Sequence, residues 1–262
     1  MLLRRSHLYH LQRLRHNCGP RPQSELDKQL LLDLAESCVS LYTDIRRHAQ
    51  SAGESATKVI VGARPLVIPP LLKAFEEAVK TSDFKRMKGA MYTLLYGSLA
   101  KTAGRDWHFA PSLIRSYISA STADKPSIQK LATGIVYHIM DYGRPVERMV
   151  ILNDTLVRSI SPDEDLLGII ARKREKLQKK RDFIERRKAE LALELVELAK
   201  NSHWKTASRI VTVIVNLGLR FATIAPQSLL ELATVGTVDS HPGLRGLYSG
   251  ALVAVSVPLF HW

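Results

Sequence analysis

The feature that most constrains the fold is a helix-start pattern that recurs about every 40 residues. An apolar residue followed by a basic or polar one begins an apolar run of helical spacing, and the step between neighbouring pairs is about 40 residues with one longer gap of about 76. The five pairs are Ile45-Arg46, Met87-Lys88, Ile128-Gln129, Trp204-Lys205 and Leu244-Arg245. Periods of this length in paired helices are typical of HEAT and armadillo repeats.

Apolar residues recur at three- and four-residue spacing through almost the whole chain. The runs Leu30 to Leu41, Leu71 to Val79 and Leu113 to Ile118 each place their apolar side chains on one helix face, and each precedes one of the paired starts. A convincing strand-type alternation is missing. The pattern predicts an all-α chain with a HEAT/armadillo-like α-solenoid fold.

The longer gap contains a charged insertion from Asp163 to Lys200, "DEDLLGIIARKREKLQKKRDFIERRKAELALELVELAK". It predicts one long helix with an exposed middle. The helix is expected to begin near Ser161-Pro162, because Pro and acidic residues suit a first helical turn. One apolar position recurs every seven residues, which is a thin seam for packing. Its members are Ile170, Leu177, Ile184, Leu191 and Leu198. We therefore divide the chain into residues 1–26 (a basic segment and linker), 27–160 (repeats), 161–200 (the long helix) and 201–262 (further repeats).

The paired starts have a structural interpretation. We expect the apolar member of each pair to anchor the second helix in the core. Its basic or polar neighbour then meets exposed carbonyls at the end of the first helix. Such a turn needs no ligand, so the repeat-turn residues are predicted to be mainly structural.

The chain is strongly basic, with 38 Lys and Arg against 25 Asp and Glu, a net charge of +13 and a pI near 9.9. This excess favours acidic partners. The basic patch of the insertion comprises Arg172, Lys173, Arg174, Lys176, Lys179, Lys180 and Arg181. Interleaved acids favour a solvated helix face first and a nuclear import signal second. Nucleic-acid binding comes third, since Phe183 is the one aromatic residue there.

Recognisable catalytic and ligand motifs are missing. Lys101-Thr102 in "GSLAKTAG" is similar to the end of a P-loop, but the two preceding positions that this motif reserves for glycine hold Leu95 and Ala100. Ser249 in "GLYSG" is not a nucleophile elbow, because no strand precedes it. His7 and His10 are predicted to lie on a basic helix surface and not in a zinc site. We therefore predict no enzyme, no cofactor, no metal and no membrane span. The two cysteines, Cys18 and Cys38, favour a reducing compartment.

The segment "LRHNCGPRPQSELDKQLLLDLAESCVSLYTDIRRHAQ" resembles the large single-chain proteasome activator family, which in animals is proteasome activator subunit 4. "RMKGAMYTLL" and "HPGLRGLYSGAL" resemble helix-pair turns of the same family, and the resemblance extends from about Leu14 to Val255. It implies a non-enzymatic HEAT-repeat scaffold that binds the proteasome core particle and modulates protein degradation. It also implies localisation to the nucleus and cytoplasm and a role in DNA repair.

The sequence departs from that family at one point that matters for docking. Members dock through a C-terminal tail with a penultimate tyrosine, whereas His261 is penultimate in "VPLFHW". We therefore expect a fragment, and assign no residue to an inositol phosphate site. The alternative is a generic HEAT-type adaptor that binds acidic peptides or nucleic acid. The apolar end that includes Leu252, Val253 and Val257 predicts that the isolated chain self-associates or needs a partner.

Overall fold

The computed structural model describes residues 2–17, 20–95, 97–142, 159, 164–218 and 226–256. In these ranges all regular elements are α-helices, with an isolated β-bridge between Arg21 and Ile60 as the one extended pairing. The all-α prediction is confirmed. Contacts divide the chain into two compact units, unit 1 (Met1–Gly143) and unit 2 (Arg144–Trp262). The predicted division into four segments stays a prediction.

Unit 1 is built from helix pairs joined by short turns. Its helices are α1 (Leu2–Asn17), α2 (Glu25–Ser37), α3 (Thr43–Val59), α4 (Ala63–Lys80), α5 (Phe84–Leu95), α6 (Gly97–Arg105), α7 (Ala110–Ala120) and α8 (Pro126–Tyr142). The first helices of successive pairs pack on one another, α2 on α4 and α4 on α7, while α5 packs on α8. This stacking of helix pairs is the HEAT/armadillo-like arrangement that the periodicity predicts.

The core of unit 1 lies between these stacked helices. Phe75 of α4 and Tyr117 of α7 are buried and meet edge to face, with ring centroids 5.1 Å apart. Met87 and Met91 of α5 are buried in the same cluster, and so is Ile128 near the start of α8. Burying a side chain of this size contributes about 1.5–3 kcal/mol, so the pairs hold each other mainly through this layer.

An ion pair fixes the beginning of α2. The guanidinium of Arg21 donates to both carboxylate oxygens of Asp27 at 2.5 Å. Asp27 also accepts from the backbone N–H of Ser24, and the Ser24 hydroxyl in turn accepts from the Asp27 N–H, which completes a capping box. The Arg21 backbone pairs with Val59 and Val61 at 3.0 Å. These bonds tie the entry to α2 to the end of α3.

Unit 2 contains α9 (Glu164–Lys200), α10 (Trp204–Gly218), α11 (Gln227–Gly236) and α12 (Pro242–Ser256). Helices α10 and α12 pack side by side, and α11 covers α12. Val211, Leu244 and Tyr248 belong to the buried cluster between them. A Cβ on Gly236 would overlap the Tyr248 ring, so glycine permits the close approach of α11 and α12.

The long inserted helix is confirmed as α9, while the predicted seven-residue packing seam needs correction. Buried side chains are confined to its last third, where Lys188 and residues 191–199 pack on α10 and α11, and none of the described side chains of 165–187 is buried. The middle of the helix is therefore exposed, as predicted, and the exposed part also extends toward its N-terminal end. Leu177 and Leu198 of the seven-residue series are exposed, because the buried stripe follows Leu191, Leu195 and Ala199 instead. The predicted start at Ser161-Pro162 lies outside the described residues.

Candidate functional site

Three of the predicted turns have the same geometry. Each is a five-residue loop, at residues 38–42, 121–125 and 237–241. In each, the fourth residue of the following helix donates a side-chain hydrogen bond to the carbonyl of the third loop residue. The donor–acceptor distances are 2.8 Å for Arg46 to Ser40, 2.7 Å for Gln129 to Ala123 and 2.8 Å for Arg245 to Asp239.

Backbone bonds close the same three loops from the other side. The N–H of the third loop residue donates to the carbonyl of the last residue of the preceding helix. The distances are 3.2 Å for Ser40 to Ser37, 3.2 Å for Ala123 to Ala120 and 3.1 Å for Asp239 to Gly236. The third loop residue is therefore held through both its polar backbone groups, and the long donor side chains at the turns are engaged within the fold.

The two remaining turns are shorter and use other contacts. At residues 81–83, the Asp83 carboxylate accepts from the backbone N–H groups of Lys85 and Arg86 at 3.1 and 3.0 Å, and Lys88 is half-buried. Directly after the turn at residues 201–203, Trp204 stacks on His241 of the 237–241 turn, with ring centroids 4.3 Å apart. The ammonium group of Lys205 lies 5.5 Å from the centroid of the Trp204 ring. In both three-residue turns the carbonyl of the third residue accepts from a backbone N–H of the following helix, at 2.9 Å from Met87 to Asp83 and at 2.9 Å from Ala207 to His203.

The apolar members of the five pairs divide into two groups. Met87, Ile128 and Leu244 are buried, whereas Ile45 is 50% and Trp204 is 42% exposed. The expectation that all five anchor in the core is therefore wrong for Ile45 and Trp204. Trp204 is the first residue of α10 and contacts the neighbouring turn instead of the core. Burial at a helix start depends on which element lies beside it, and residue type alone does not determine that.

The turn between α2 and α3 presents apolar side chains to solvent. Leu41 is 56% and Tyr42 is 71% exposed, and together with Ile45 they form what we call the apolar turn tip. The equivalent fourth and fifth loop positions hold Asp124 and Lys125 in one turn, and Ser240 and His241 in the other. The shared loop geometry therefore does not require apolar residues there. Sequence analysis overlooked this tip, although three apolar residues beside a turn are a readable signal.

The predicted basic patch lies entirely on the exposed part of α9. Arg172, Lys173, Lys176, Lys179 and Lys180 are exposed, and Arg174 and Arg181 are half-buried. The Lys179 ammonium group forms an ion pair of 2.6 Å with Glu175, one helical turn earlier. Exposed pairs of this kind contribute about 0.3–0.5 kcal/mol each. The patch is thus a surface feature whose removal should leave the core intact.

A polar cluster with a small cavity lies beside the turn between α2 and α3. The Gln50 amide donates to the carbonyl of Gly89 at 3.2 Å and to the hydroxyl of Thr93 at 3.1 Å. Burial raises the pKa of the neighbouring Cys38 thiol to about 11, so this thiol is a poor nucleophile near neutral pH. The cavity that these residues line measures about 20 Å³, enough for a single water molecule. The arrangement therefore ties α3 to α5 and has no room for a substrate.

The described residues contain neither a metal-binding cluster nor a membrane-spanning helix. In the described ranges, His, Cys, Asp and Glu side chains form no group of three or more that could hold a metal ion. None of the described helices combines the length and the apolar character needed to cross a bilayer.

Comparison with known proteins places these repeats in context. No protein-family profile matches the chain. Over 165 residues it is 22% identical to the proteasome activator BLM10 of Saccharomyces cerevisiae. The chain is similar to a proteasome activator. The aligned part covers 63% of this chain and 8% of the yeast protein, so the chain spans a small part of the relative that it matches.

Proposed function

We propose that the chain is a helical-repeat scaffold segment of a proteasome activator and that it binds the proteasome core particle. The observation that carries the proposal is the 165-residue similarity to the yeast activator. The recurrent helix pairs support it, since stacked pairs present their turns along one edge, where a large partner can contact several of them. The segment would act through its shape and change access to the core particle without chemistry of its own.

The apolar turn tip is the contact that we propose for this partner. Leu41, Tyr42 and Ile45 are exposed next to the exposed cation of Arg47. Tyrosine and arginine are both enriched among the residues that dominate the binding energy of protein interfaces. Because the other two turns of this loop type hold polar residues at the positions of Leu41 and Tyr42, substitutions at these two positions should weaken binding and leave the fold unchanged.

The experiment uses purified core particles and the full chain. Binding is followed by native gel electrophoresis, and the effect on function by hydrolysis of fluorogenic peptides. We expect the chain to bind and to alter the rate of hydrolysis. The double variant Leu41→Ser/Tyr42→Ser should bind at least about tenfold more weakly, as expected for loss of interface anchors.

The matched control is Asp124→Ser/Lys125→Ser, which changes the same two positions of the same loop type in the turn between α7 and α8. It should bind core particles as the unchanged chain does. Absence of binding and of any change in hydrolysis, for the chain and for a longer protein that contains it, would exclude the proposal. Equal loss in both double variants would exclude the turn tip as the contact.

The finer assignments follow from the same proposal. We propose membership of the family that includes proteasome activator subunit 4, with a place in the nucleus and cytoplasm and a role in DNA repair. Imaging of a fluorescent fusion before and after DNA damage tests the last two. Exclusion of the fusion from the nucleus under both conditions would contradict them.

A further inference from the structure

The exposed part of α9 has cations and aliphatic side chains on one side. Residues four apart lie one above the other on a helix, and two neighbouring rows of this kind run from residue 169 to residue 180. We call these six residues the basic–aliphatic face: Ile169, Lys173 and Leu177 in one row, and Arg172, Lys176 and Lys180 in the other. All six side chains are exposed, with Ile169 at 45% and Leu177 at 40%.

From residue 169 to residue 188, the acidic residues lie elsewhere on the helix. At 3.6 residues per turn, Glu175, Asp182 and Glu185 are more than about 100° around the axis from the midline of the basic–aliphatic face. Glu175 pairs with Lys179 at 2.6 Å and Glu185 with Lys188 at 2.7 Å, and both lysines lie outside the face. Asp182 accepts from Gln178 at 2.8 Å. The charges are therefore segregated around the helix, whereas the linear sequence appears to interleave them.

We propose that the basic–aliphatic face binds an acidic amphipathic segment of a partner protein. Carboxylates of that segment would meet the four cations, and its apolar side chains would cover Ile169 and Leu177. The face is about 16 Å long at 1.5 Å per residue, which matches a partner helix of about three turns. The long stems of the lysines can lie along the apolar contact while their charged ends stay at its rim. This proposal is independent of core-particle binding.

The two aliphatic side chains favour a polypeptide over nucleic acid. A phosphate backbone would satisfy the cations but leave Ile169 and Leu177 in water. Sequence-tolerant binding of single strands also uses aromatic side chains on which bases stack. Phe183, the one aromatic residue of α9, is half-buried, and the Arg186 guanidinium lies 5.9 Å from its ring centroid.

The test measures fluorescence anisotropy with the full chain and a labelled helical peptide. The probe consists of glutamate and leucine, with leucine at three- and four-residue spacing, and its partner probe has the same composition in scrambled order. We expect Lys173→Gln/Lys176→Gln to weaken binding of the amphipathic probe by at least about tenfold, and Leu177→Ser by about threefold. The matched control Arg181→Gln/Arg186→Gln removes two positive charges that lie about 110° around the helix axis from the midline of the face, and it should change binding by less than about twofold.

Several outcomes would overturn the proposal. Equal loss of affinity in both glutamine double variants, or equal binding of the scrambled probe, would indicate general attraction to the basic chain. Tighter binding of a 20-nucleotide oligothymidine that Leu177→Ser does not affect would assign the face to nucleic acid. No binding of the probe at low salt would exclude the site, provided that circular dichroism shows unchanged helicity.

Discussion

At the scale of single residues, the hydroxyl of Tyr117 is a buried polar group with no hydrogen-bond partner in the part of the chain that the structure describes. Its ring packs edge to face on Phe75. Burial raises the pKa of this phenol above its ordinary value, so the hydroxyl is neutral near neutral pH. An unpaired buried hydroxyl costs about 1–3 kcal/mol. The packed ring of Tyr117 therefore stabilises the core, whereas its hydroxyl does not.

We predict that Tyr117→Phe raises the free energy of unfolding by about 1 kcal/mol, because the substitution removes the unpaired oxygen and keeps the ring. Urea denaturation monitored by circular dichroism measures the change. Tyr92→Phe, at an exposed position of α5, serves as the control and should have no effect. A loss of stability in Tyr117→Phe would indicate that the hydroxyl is bonded after all.

The ionisation of the Asp27 carboxyl makes the free energy of unfolding depend on pH in the acid range. The hydrogen bonds from Arg21, and then those from Ser24, hold the pKa of this carboxyl well below its ordinary value of 3.8. A carboxylate with a lowered pKa stabilises the fold above its ordinary pKa, and this stabilisation is lost as the pH falls below about 3.8 toward the folded-state value.

We therefore predict that Asp27→Asn lowers the melting temperature at pH 7 and flattens the dependence of stability on pH below about pH 4. Thermal melts across the acid range test this. Asp33→Asn, at an exposed position of the same helix, is the comparison variant and should retain the steep acid dependence. Parallel pH profiles for Asp27→Asn and the unchanged chain would contradict the prediction.

At the scale of helices, the contact between α5 and the preceding turn depends on a glycine. A Cβ on Gly89 would lie 2.9 Å from the Cys38 carbonyl oxygen and 3.0 Å from the Val39 Cα. Both are backbone atoms that cannot rotate away. A Cβ on Gly134 in α8 would meet no atom within 4 Å, and Gly134 is exposed. The two glycines therefore allow a comparison between a packing role and mere helix propensity.

We predict that Gly89→Ala lowers the free energy of unfolding by about 1–3 kcal/mol, because the two backbones must move apart. Gly134→Ala should raise it by about 0.5–1 kcal/mol, since alanine favours the helix and meets no neighbour. Chemical denaturation of both variants gives the comparison. The same sign of change in both would show that the close approach at Gly89 is not limiting.

Helix boundaries were easier to predict than helix neighbours. The five predicted starts lie within the first four residues of α3, α5, α8, α10 and α12, because apolar spacing reports which residues share a face. The sequence did not reveal α6, a nine-residue helix with glycines at 97 and 104, nor the extension of α4 through Pro69 and Pro70. Periodicity also does not say which element covers a face. Hence the exposure of Ile45 required the structure, whereas the charge segregation on α9 already follows from the predicted helix at 3.6 residues per turn.

At the scale of the whole molecule, each unit presents apolar side chains to solvent. In unit 1 these include Leu26 and Leu30 of α2, and in unit 2 Val235, Val238 and Val253. Of the apolar residues near the C-terminus, Leu252 packs on the core of unit 2, and Val257 lies outside the described residues. Exposed apolar patches on a repeat protein are the surfaces that neighbouring repeats or partners cover.

We predict that the isolated chain self-associates as its concentration rises. Sedimentation velocity over a concentration series tests this, and the variant Leu26→Lys/Leu30→Lys should shift the distribution toward the monomer, because charged side chains oppose apolar association. A single monomeric species at all concentrations would contradict the prediction.

The carbonyl contact in the three five-residue turns also bears on how such repeats diverge. The acceptor belongs to the backbone, which every residue supplies, and the donor is arginine in two turns and glutamine in the third. The amino-acid type at either position therefore says little about whether this turn forms. The shared feature is the six-residue separation between the donor side chain and the acceptor carbonyl. Repeats of this kind can lose nearly all pairwise identity and keep their shape. A search that scores spacing and side-chain reach would detect relatives that comparison of amino-acid identities overlooks.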